Sequence, residues 1–449
     1  MHFGTDGIRG VANEELTPEI ALYLGRAVAK VLNPNSLVLG RDPRISGKML
    51  ANAFASGVMS EGVDVIDVGI APTPAVAYVG NKLEVPSAVV SASHNPFGDN
   101  GIKVFGFMGT KIDDNAESEI ERQLNGYLEN ALSGKRPVGR LIGRESDGTA
   151  LLESWLQSIA DVFQLENFAL KAVVDLANGA TAKFVEPLLV RFGIQVIAIN
   201  AENDGTSINE NCGATSTRGL KEAVVQHGAD LGLAFDGDGD RLVAVDASGK
   251  IVNGDQIIAL MALDLKKEGK LDNSAVAVTV MSNLGFHKAM DEAGIKVFVT
   301  PVGDRHVLQV MERENLTLGG EQSGHIIRRD HSTTGDGLLA ACLLLDIMGR
   351  NNSSLNEMAN ISIYPQVLES LRVNGLSQDG AKMLAQHEEI TTLVDDLTNK
   401  LEGQGRILVR ASGTEPVVRV MVEASDEVRA KEIVGNLVVK LTELSSKTT

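Results

Sequence analysis

A strand, a polar or glycine-containing loop, a helical pattern and a second strand follow one another three times in this chain. The three units begin at Leu37, Ala172 and Ala275. Their predicted helices span residues 47–60, 181–191 and 284–293, and their closing strands span residues 63–68, 195–199 and 296–299. Strands that alternate with helices are typical of βαβ units and of largely parallel sheets. The sequence therefore predicts three similar α/β domains, although the three units share little sequence identity.

The last part of the chain has a different pattern. Predicted strands at 406–410 and 417–423 flank a polar loop, and a long amphipathic helix follows over about 426–444. This order predicts a small α+β domain. The expected fold class is thus α/β, with three similar α/β domains and a smaller C-terminal α+β domain around a central cleft. The predicted domains are residues 1–150, 151–252, 253–366 and 367–449.

Charge and composition narrow the possible partners and the cellular compartment. The net charge of −18 argues against a general nucleic-acid surface. The two cysteines are far apart in sequence, so we expect no disulfide framework. The amino terminus lacks the pattern of a signal peptide, and no apolar run approaches the roughly 20 residues of a membrane span. We expect a cytoplasmic protein that binds neither nucleic acid nor membrane.

A loop rich in hydroxyl, imidazole and amide groups follows the apolar residues 88–90. It reads Ser91-Ala92-Ser93-His94-Asn95-Pro96, and the apolar residues before it predict a buried strand. In open α/β sheets, ligands bind at the carboxyl ends of the strands. The loop is therefore a candidate site, while an ordinary Ser/Asn turn is equally compatible with this stretch alone.

Three aspartates alternate with glycines after the predicted strand 231–235. Asp236, Asp238 and Asp240 can point three carboxylates to one place, and these repel one another unless a cation lies among them. An EF-hand would require Gly at the position of Arg241 and Glu at that of Ala247. The pattern predicts a hard divalent metal such as Mg²⁺, and a solvated acidic turn is the alternative.

Three stretches combine arginine with glycine or hydroxyl groups, as phosphate-binding loops do. They are Phe3–Gly10, Arg41–Arg44 and Arg410–Pro416. Each stretch taken singly is more typical of a structural turn. A fourth stretch, Gly319–His325, offers a carboxylate, a hydroxyl and an imidazole that suit vicinal sugar hydroxyls, or it simply connects two strands. The chain has no G-x-x-x-x-G-K-[ST] run and no G-x-S-x-G run, which counts against a P-loop protein and an α/β-hydrolase.

Five of these motifs, in this order, resemble the α-D-phosphohexomutases over essentially the whole chain. They are the F-G-T-D-G-I-R-G opening, the S-A-S-H-N-P loop, D-G-D-G-D-R, G-E-Q-S-G-H and R-A-S-G-T-E-P. The form of the first, second and fourth is similar to the bacterial branch that acts on glucosamine phosphates. Gly98 stands where a bulkier residue is more usual in the family.

The resemblance implies a phosphoryl-transfer enzyme with a phosphoserine. Ser93 would carry the phosphate, with Ser91 as the alternative, and Ser93 would share one Mg²⁺ with Asp236, Asp238 and Asp240. The transferring group would be stabilised by four side chains, namely Arg9, His94, Lys103 and Arg241. Either Lys103 or His325 would act as general acid/base, and the sequence does not decide between them.

The resemblance also implies where the substrate binds. Glu321 and Ser323 would bind sugar hydroxyls. The far phosphate would be held by Arg410, Ser412, Gly413 and Thr414, with Arg419 as a further helper. The reaction would interconvert glucosamine 6-phosphate and glucosamine 1-phosphate through a 1,6-bisphosphate, and would supply UDP-N-acetylglucosamine and cell-wall precursor synthesis. A homodimer is possible.

Other activities are compatible with the same motifs. Within the family, a phosphomannomutase or phosphoglucomutase is the alternative. A non-catalytic sugar-phosphate sensor and a metal-dependent phosphatase are less favoured, because the serine, the acidic cluster and the arginine loop are all present.

Overall fold

A computed structural model describes residues 7–129, 135–163, 169–372, 377–412 and 416–448 of the 449-residue chain. The predicted site positions Gly413 and Thr414, and residues 3–6 of the opening motif, lie outside these ranges. The chain divides into two compact units. One comprises Met1–Met281 with Gly294–Asn360, and the other comprises Ser282–Ala293 with Ile361–Thr449.

The first sheet of the larger unit has six strands in the order β1-β5-β4-β2-β3-β6. Helices α1 and α2 pack closely because both carry glycine at the crossing: a Cβ on Gly25 would lie 2.2 Å from the Phe54 carbonyl oxygen. The elements of this sheet and its helices are β1 Ile8–Val11, α1 Pro18–Leu32, β2 Ser36–Arg41, α2 Gly47–Ser60, β3 Asp64–Ile70, α3 Thr73–Leu83, β4 Ser87–Val90, β5 Asp99–Phe105, α4 Asp114–Leu128, β6 Glu145–Asp147 and α5 Leu152–Ala160.

The second sheet has five strands in the order β11-β10-β9-β7-β8. Its elements are β7 Lys171–Asp175, α6 Val185–Arg191, β8 Gln195–Ile199, α7 Arg218–His227, β9 Leu231–Phe235, β10 Leu242–Asp246 and β11 Ile251–Val252. The helix expected over 181–191 is wrong in its first part, where a 3₁₀ turn spans Ala180–Lys183. Pro187 has no N–H to donate to the Lys183 carbonyl, so a continuous α-helix cannot start at 181.

The third sheet has four strands in the order β13-β12-β14-β15. The elements of this region are α8 Gly254–Lys267, β12 Ala275–Thr279, α9 Leu284–Glu292, β13 Lys296–Thr300, α10 Asp304–Arg313, β14 Leu318–Gly320, β15 Ile326–Arg328, α11 Gly337–Asn351 and α12 Leu355–Met358. Among the residues that the structure describes, no helix combines the length and the apolar character needed to cross a membrane.

The three sheets share one strand arrangement, which confirms the three similar α/β domains. The shared parts are β5-β4-β2-β3, β10-β9-β7-β8 and β15-β14-β12-β13. In each, three parallel strands are joined by a fourth, antiparallel strand at one side. The expectation of largely parallel sheets therefore holds for the central strands. Each sheet also gains a hairpin loop between its last parallel strand and its antiparallel neighbour.

The smaller unit contains an antiparallel sheet in the order β16-β18-β17, as the predicted α+β domain requires. Helix α9 groups with this unit and not with the strands that flank it in sequence. The buried carboxylate of Glu423 explains this, because it accepts from the Leu284 N–H at 2.8 Å and from Arg406 Nε at 2.7 Å. The remaining elements are β16 Gln366–Arg372, α13 Gln378–Ala385, α14 Glu388–Lys400, β17 Arg406–Ala411, β18 Val417–Glu423 and α15 Glu427–Thr448.

Candidate active site

The predicted catalytic serine lies on the hairpin loop between β4 and β5. Ser93 is buried, and its Oγ donates a hydrogen bond to Asp236 Oδ2 at 2.7 Å. Ser91 Oγ instead donates to Asp42 Oδ2 at 2.5 Å and accepts from the Ser93 N–H at 2.9 Å. Of the two serines in the motif, Ser93 is the one that faces the aspartate cluster.

The backbone of Ser93 is held in the left-handed region, with φ at 52°. For a residue other than glycine, such a conformation costs about 1–3 kcal/mol and persists where the surroundings impose it. The Ser93 carbonyl accepts from Arg44 Nη2 at 2.9 Å and from Asn209 Nδ2 at 2.8 Å. Both backbone polar groups of the serine are therefore bonded, which fixes the direction of its side chain.

The three aspartates lie on the equivalent hairpin loop, between β9 and β10. Asp236, Asp238 and Asp240 are buried, and one oxygen from each lies within 4.8 Å of the others. Gly239 permits the turn, since its φ is +74°. Gly237 permits the approach of the two loops, because a Cβ there would lie 2.7 Å from the Ser93 carbonyl oxygen. The predicted convergence of the three carboxylates is thus present.

These carboxylates suit a hard divalent cation. Asp238 Oδ1 and Asp240 Oδ1 are buried and have no hydrogen-bond partner among the residues that the structure describes. Burial raises the pKa of Asp236, and the negative charges of Asp240 and Asp238 raise it further. Oxygen ligands from several carboxylates with unused lone pairs are the set that Mg²⁺ prefers. The residues present therefore fit the predicted metal.

Lys103 reaches the cluster from β5. Its Nζ lies 2.7 Å from Asp238 Oδ2 and 3.3 Å from Asp240 Oδ2. Burial alone would raise the pKa of Asp240, but Lys103 and then His325 hold it well below its usual range. Thr73 Oγ1, at the start of α3, also donates to Asp238 Oδ2 at 2.6 Å. Thr73 was not predicted as a site residue, because nothing near it in sequence marks a polar site.

Arg241 and His94 complete the surroundings of Ser93. Arg241 Nε lies 3.9 Å from both Asp236 Oδ2 and Asp240 Oδ1, too far for a hydrogen bond. His94 Nδ1 lies 3.2 Å from Ser93 Oγ. Burial lowers the pKa of His94 to about 4, helped by the positive charges of Arg241 and Arg9. The His94 imidazole is therefore neutral near pH 7.

His325 lies on the other side of the cluster. Its Nδ1 is 3.7 Å from Asp240 Oδ1, and its Nε2 is 3.6 Å from Asp304 Oδ2. Burial would lower the pKa of His325, but Asp240, Asp304 and Glu321 raise it to about 9. The Gly335 N–H points to Nε2 at 3.1 Å, which requires a lone pair there and conflicts with a doubly protonated ring. The hydrogen bond indicates the neutral ring with its proton on Nδ1, 3.7 Å from Asp240 Oδ1, although the surrounding carboxylates favour the charged ring.

The predicted sugar-binding residues occupy the third hairpin loop, between β14 and β15. Glu321 is partly buried, and its Oε1 accepts from the Gly303 N–H at 3.0 Å. Ser323 is exposed, with its Oγ 3.5 Å from Glu321 Oε2. The alternative expectation, a connection between two strands, is also true of this stretch.

The predicted phosphate loop joins β17 and β18 in the smaller unit. Arg410 and Arg419 are directly opposite each other in the two strands. Burial lowers the pKa of Arg410, and so does the positive charge of Arg419. Arg419 Nε is buried without a hydrogen-bond partner among the described residues. The Ser412 N–H donates to the Val417 carbonyl at 2.7 Å, so the two strands stay paired up to the loop. The two arginines on these facing strands therefore lie at the base of the loop.

The expectation that Arg41–Arg44 handles phosphate is wrong for Arg44. Its side chain is fully buried and bonds to Asp42 and to four backbone carbonyls. It has no donor left for a phosphate.

Asn209 was not predicted as a site residue, although its Nδ2 donates to the carbonyls of Ser93 and Asn95.

Comparison with known families covers most of the chain. Four models named Phosphoglucomutase/phosphomannomutase match: alpha/beta/alpha domain I over residues 1–131, domain II over 153–249, domain III over 253–364, and the C-terminal domain over 373–438. The chain belongs to the phosphoglucomutase/phosphomannomutase family. This phosphohexomutase has the four-domain architecture of the family, while the boundaries near 150, 252 and 366 stay a prediction.

Individual relatives resemble this phosphohexomutase along its full length. The phosphoglucosamine mutase of Carboxydothermus hydrogenoformans is 46% identical over 98% of this chain and 99% of its own. That of Pelotomaculum thermopropionicum is 47% identical over 97% of this chain and 98% of its own.

Solved structures show the same fold. A phosphoglucomutase/phosphomannomutase family protein from Burkholderia thailandensis has a TM-score of 0.80 at 23% identity, over 98% of this chain and 96% of that one. The N-acetylphosphoglucosamine mutase of Aspergillus fumigatus, in complex with GlcNAc-6P and magnesium, has a TM-score of 0.66 at 16% identity, over 99% of this chain and 96% of that one.

Proposed function

We propose that the chain is a phosphoglucosamine mutase, which interconverts glucosamine 6-phosphate and glucosamine 1-phosphate through a phosphoserine at position 93. The observation that carries this proposal is the 2.7 Å hydrogen bond from Ser93 Oγ to Asp236 within the buried aspartate cluster. The full-length similarity to phosphoglucosamine mutases supports the amino sugar as substrate. The activity supplies precursors of UDP-N-acetylglucosamine and of the cell wall.

In the first half-reaction the phosphoryl group on Ser93 moves to the sugar, and in the second a phosphoryl group returns from the sugar to Ser93. The bond between Ser93 Oγ and phosphorus breaks, and a bond forms between phosphorus and the free sugar hydroxyl oxygen. The hydroxyl proton passes to a base, and Ser93 Oγ regains a proton. The product of this half-reaction is glucosamine 1,6-bisphosphate, which turns over and returns its other phosphate to Ser93. Position and charge are the main requirements of such a transfer.

Asp236, Asp238 and Asp240 would hold one Mg²⁺ together with the phosphate on Ser93. When bound, the cation supplies positive charge that offsets the phosphate and the carboxylates. Arg241 supports the same phosphate, since its Nε has no hydrogen-bond partner among the described residues and lies near Asp236.

Proton transfer involves side chains around the cluster. His94 Nδ1 lies 3.2 Å from Ser93 Oγ, whose one proton is donated to Asp236, so His94 contacts the oxygen that carries the phosphate and helps to stabilise the transferring group. Lys103 and His325 both lie beside Asp240, and each is a candidate general acid/base for the sugar hydroxyl. Arg9, on β1, adds positive charge near His94.

Substrate recognition is divided between two loops. Glu321 and Ser323 bind sugar hydroxyls, as suits a carboxylate and an exposed hydroxyl side by side. Arg410 and Arg419 bind the phosphate that is not transferred, with Ser412, Gly413 and Thr414 completing the loop. Two like charges on facing strands repel each other, and a phosphate between them relieves that repulsion.

The proposed substrate is a small metabolite, which is consistent with the predicted cytoplasmic location. A homodimer stays a prediction. The test measures the intact mass of the purified protein with and without phosphatase, and assays glucosamine, glucose and mannose 6-phosphates side by side. We expect a phosphatase-sensitive mass increase at Ser93 and the highest kcat/KM with glucosamine 6-phosphate. A preference for glucose 6-phosphate or mannose 6-phosphate would instead indicate a phosphoglucomutase or a phosphomannomutase. Continuous release of phosphate would indicate a phosphatase.

A further inference from the structure

Arg44 is a buried arginine whose five N–H groups all point to partners in or beside the serine loop. Nε donates to Asp42 Oδ2 at 2.9 Å. Nη2 donates to the carbonyls of Ser93 at 2.9 Å and Asn95 at 2.8 Å. Nη1 donates to the carbonyls of Pro96 and Asp99. A guanidinium has five donors, so Arg44 is saturated by these contacts.

Asp42 links this arginine to the amide side of Ser93. Its Oδ1 accepts from the backbone N–H of Arg44 at 3.0 Å, and its Oδ2 accepts from Ser91 Oγ at 2.5 Å. Ser91 Oγ in turn accepts from the Ser93 N–H at 2.9 Å. A continuous set of bonds therefore runs from the Ser93 carbonyl through Arg44, Asp42 and Ser91 to the Ser93 amide.

This set of bonds explains how Ser93 keeps its left-handed backbone. The φ of 52° is unfavourable for serine, which would return to negative φ if its amide and carbonyl were released. That rotation would turn Oγ away from Asp236. The hydrogen bond between Ser93 and Asp236 thus depends on groups that touch neither the sugar nor the metal site.

We propose that Arg44 is a positioning residue for phosphoryl transfer, acting through Asp42, Ser91 and the loop carbonyls to hold Ser93 in one conformation throughout the reaction. The inference rests on the proposed function of Ser93. Because Arg44 has no donor for substrate, its loss lowers kcat while KM for the phosphosugar stays nearly constant. A displaced phosphoserine also loses transfer to the sugar hydroxyl more than transfer to water, which needs no fixed acceptor position.

The test compares Arg44→Lys with the matched control Arg26→Lys. Lysine retains the charge beside Asp42 but has three donors on one nitrogen, so it cannot serve the four carbonyls. Arg26 is buried in the same domain, where it bonds to Glu61 at 2.7 Å and stacks on Tyr127. Each variant is first phosphorylated with a hexose 1,6-bisphosphate, and single-turnover transfer to glucosamine 6-phosphate and hydrolysis to water are then measured.

For Arg44→Lys we expect kcat to fall about 100-fold, the cost of a roughly 1 Å misplacement, with KM changed less than about twofold. The ratio of transfer to hydrolysis falls with it, while Arg26→Lys changes Tm alone. An Arg44→Lys enzyme that is folded and has wild-type kcat would overturn the inference. A raised KM at unchanged kcat would overturn it too, and would return Arg44 to phosphate binding.

Ser91 provides a second, gentler test in case Arg44→Lys does not fold. Ser91→Ala removes one link and leaves every Arg44 contact in place. We expect Ser91→Ala to lower kcat about 10-fold, the equivalent of one hydrogen bond, and Ser91→Thr to restore most of it by supplying a hydroxyl. Equal activity of the two variants would contradict the inference. Wild-type protein without phosphoserine or mutase activity would instead contradict the proposed function.

Discussion

Asn209 Nδ2 lies 2.8 Å from the carbonyl oxygen of Ser93, so a residue that follows β8 in the second domain holds the serine loop of the first. The same nitrogen lies 3.0 Å from the Asn95 carbonyl. Both carbonyls also accept from Arg44. The serine loop is therefore tied both to its own domain and to the domain that carries the aspartates.

Replacement of Asn209 should weaken this tie without unfolding the protein. We expect Asn209→Ala to lower kcat about 3- to 10-fold, because about 1 kcal/mol of hydrogen bonding is lost while both carbonyls keep Arg44. Steady-state kinetics and Tm are the measurements. Asn273→Ala is the control, since Asn273 also has positive φ and bonds to the Glu314 carbonyl at 2.8 Å, far from Ser93 in sequence. Equal kinetic effects of the two substitutions would show that Asn209 has no special role.

The two serines of the motif should behave differently when replaced. Ser93→Ala removes the oxygen that faces Asp236, so we expect no phosphoenzyme by intact mass and no detectable exchange of sugar phosphate. Ser91→Ala keeps that oxygen and should still gain one phosphate from a bisphosphate donor. A phosphorylated Ser93→Ala protein would move the carrier to another residue.

Binding of Mg²⁺ should stabilise the protein through the aspartate cluster. A ligand that binds only the folded state at 100 times its Kd adds about 2.7 kcal/mol, which appears as a rise in Tm. We expect Asp240→Asn to lose both this rise and the dependence of activity on Mg²⁺. The control is Asp246→Asn on the far end of β10, where the carboxylate accepts from Ser248 and Lys250 amides. A Tm increase that survives Asp240→Asn would place the cation elsewhere.

Arg410 should affect substrate binding more than chemistry at Ser93. Loss of a charged hydrogen bond to phosphate costs about 1.5–3 kcal/mol, so we expect Arg410→Ala to raise KM for glucosamine 6-phosphate about 10- to 100-fold. Its phosphoserine should react with water at the wild-type rate. Arg429→Ala, which removes a bond to the Lys400 carbonyl in the same unit, serves as the comparison. Unchanged KM in Arg410→Ala would contradict the assignment of this loop.

The single tryptophan of the chain reports on a buried carboxyl group. Trp155 Nε1 donates to Asp336 Oδ2 at 2.8 Å, and burial raises the pKa of Asp336 to about 6. Because the folded pKa lies above the usual 3.8, the stability that this group contributes is complete below 3.8 and is lost as pH rises through about 6. We expect a tryptophan fluorescence change with a midpoint near pH 6 that is absent from Asp336→Asn. A transition that persists in this variant would belong to another group.

The sequence predicted the bounds of several elements correctly. The strands at Gln195–Ile199, Leu231–Phe235 and Val417–Glu423 and the helix Gly47–Ser60 have the bounds that were expected. Leu231–Phe235 is buried at every position, and such a strand leaves a continuous apolar signal. The helix α9 was expected at the right place, but its grouping with the smaller unit depends on Glu423, which lies more than a hundred residues away.

The motif residues that converge in the site were also predictable from the sequence, whereas the residues that hold them in place were not. Ser93 and the three aspartates form recognisable local patterns. Thr73 and Asn209 have no such pattern, because their importance arises from contacts between domains. Arg44 was predicted for phosphate because an arginine beside an aspartate looks the same in sequence whether its donors face a ligand or the backbone.

The three hairpin loops occupy the same corner of three equivalent sheets, with the parallel strands and their helices behind them. Under the proposed function, one framework thus supports three unlike tasks, namely carrying a phosphate, gathering carboxylates and binding a sugar. The second and third loops also touch, since the Leu242 N–H donates to the Gly324 carbonyl at 3.0 Å. A chimera that exchanges only residues 321–323 for those of another hexose mutase, and keeps Gly324 and His325, should therefore alter the choice of sugar and leave the other two loops in place, so the specificity of this enzyme is open to redesign within one corner.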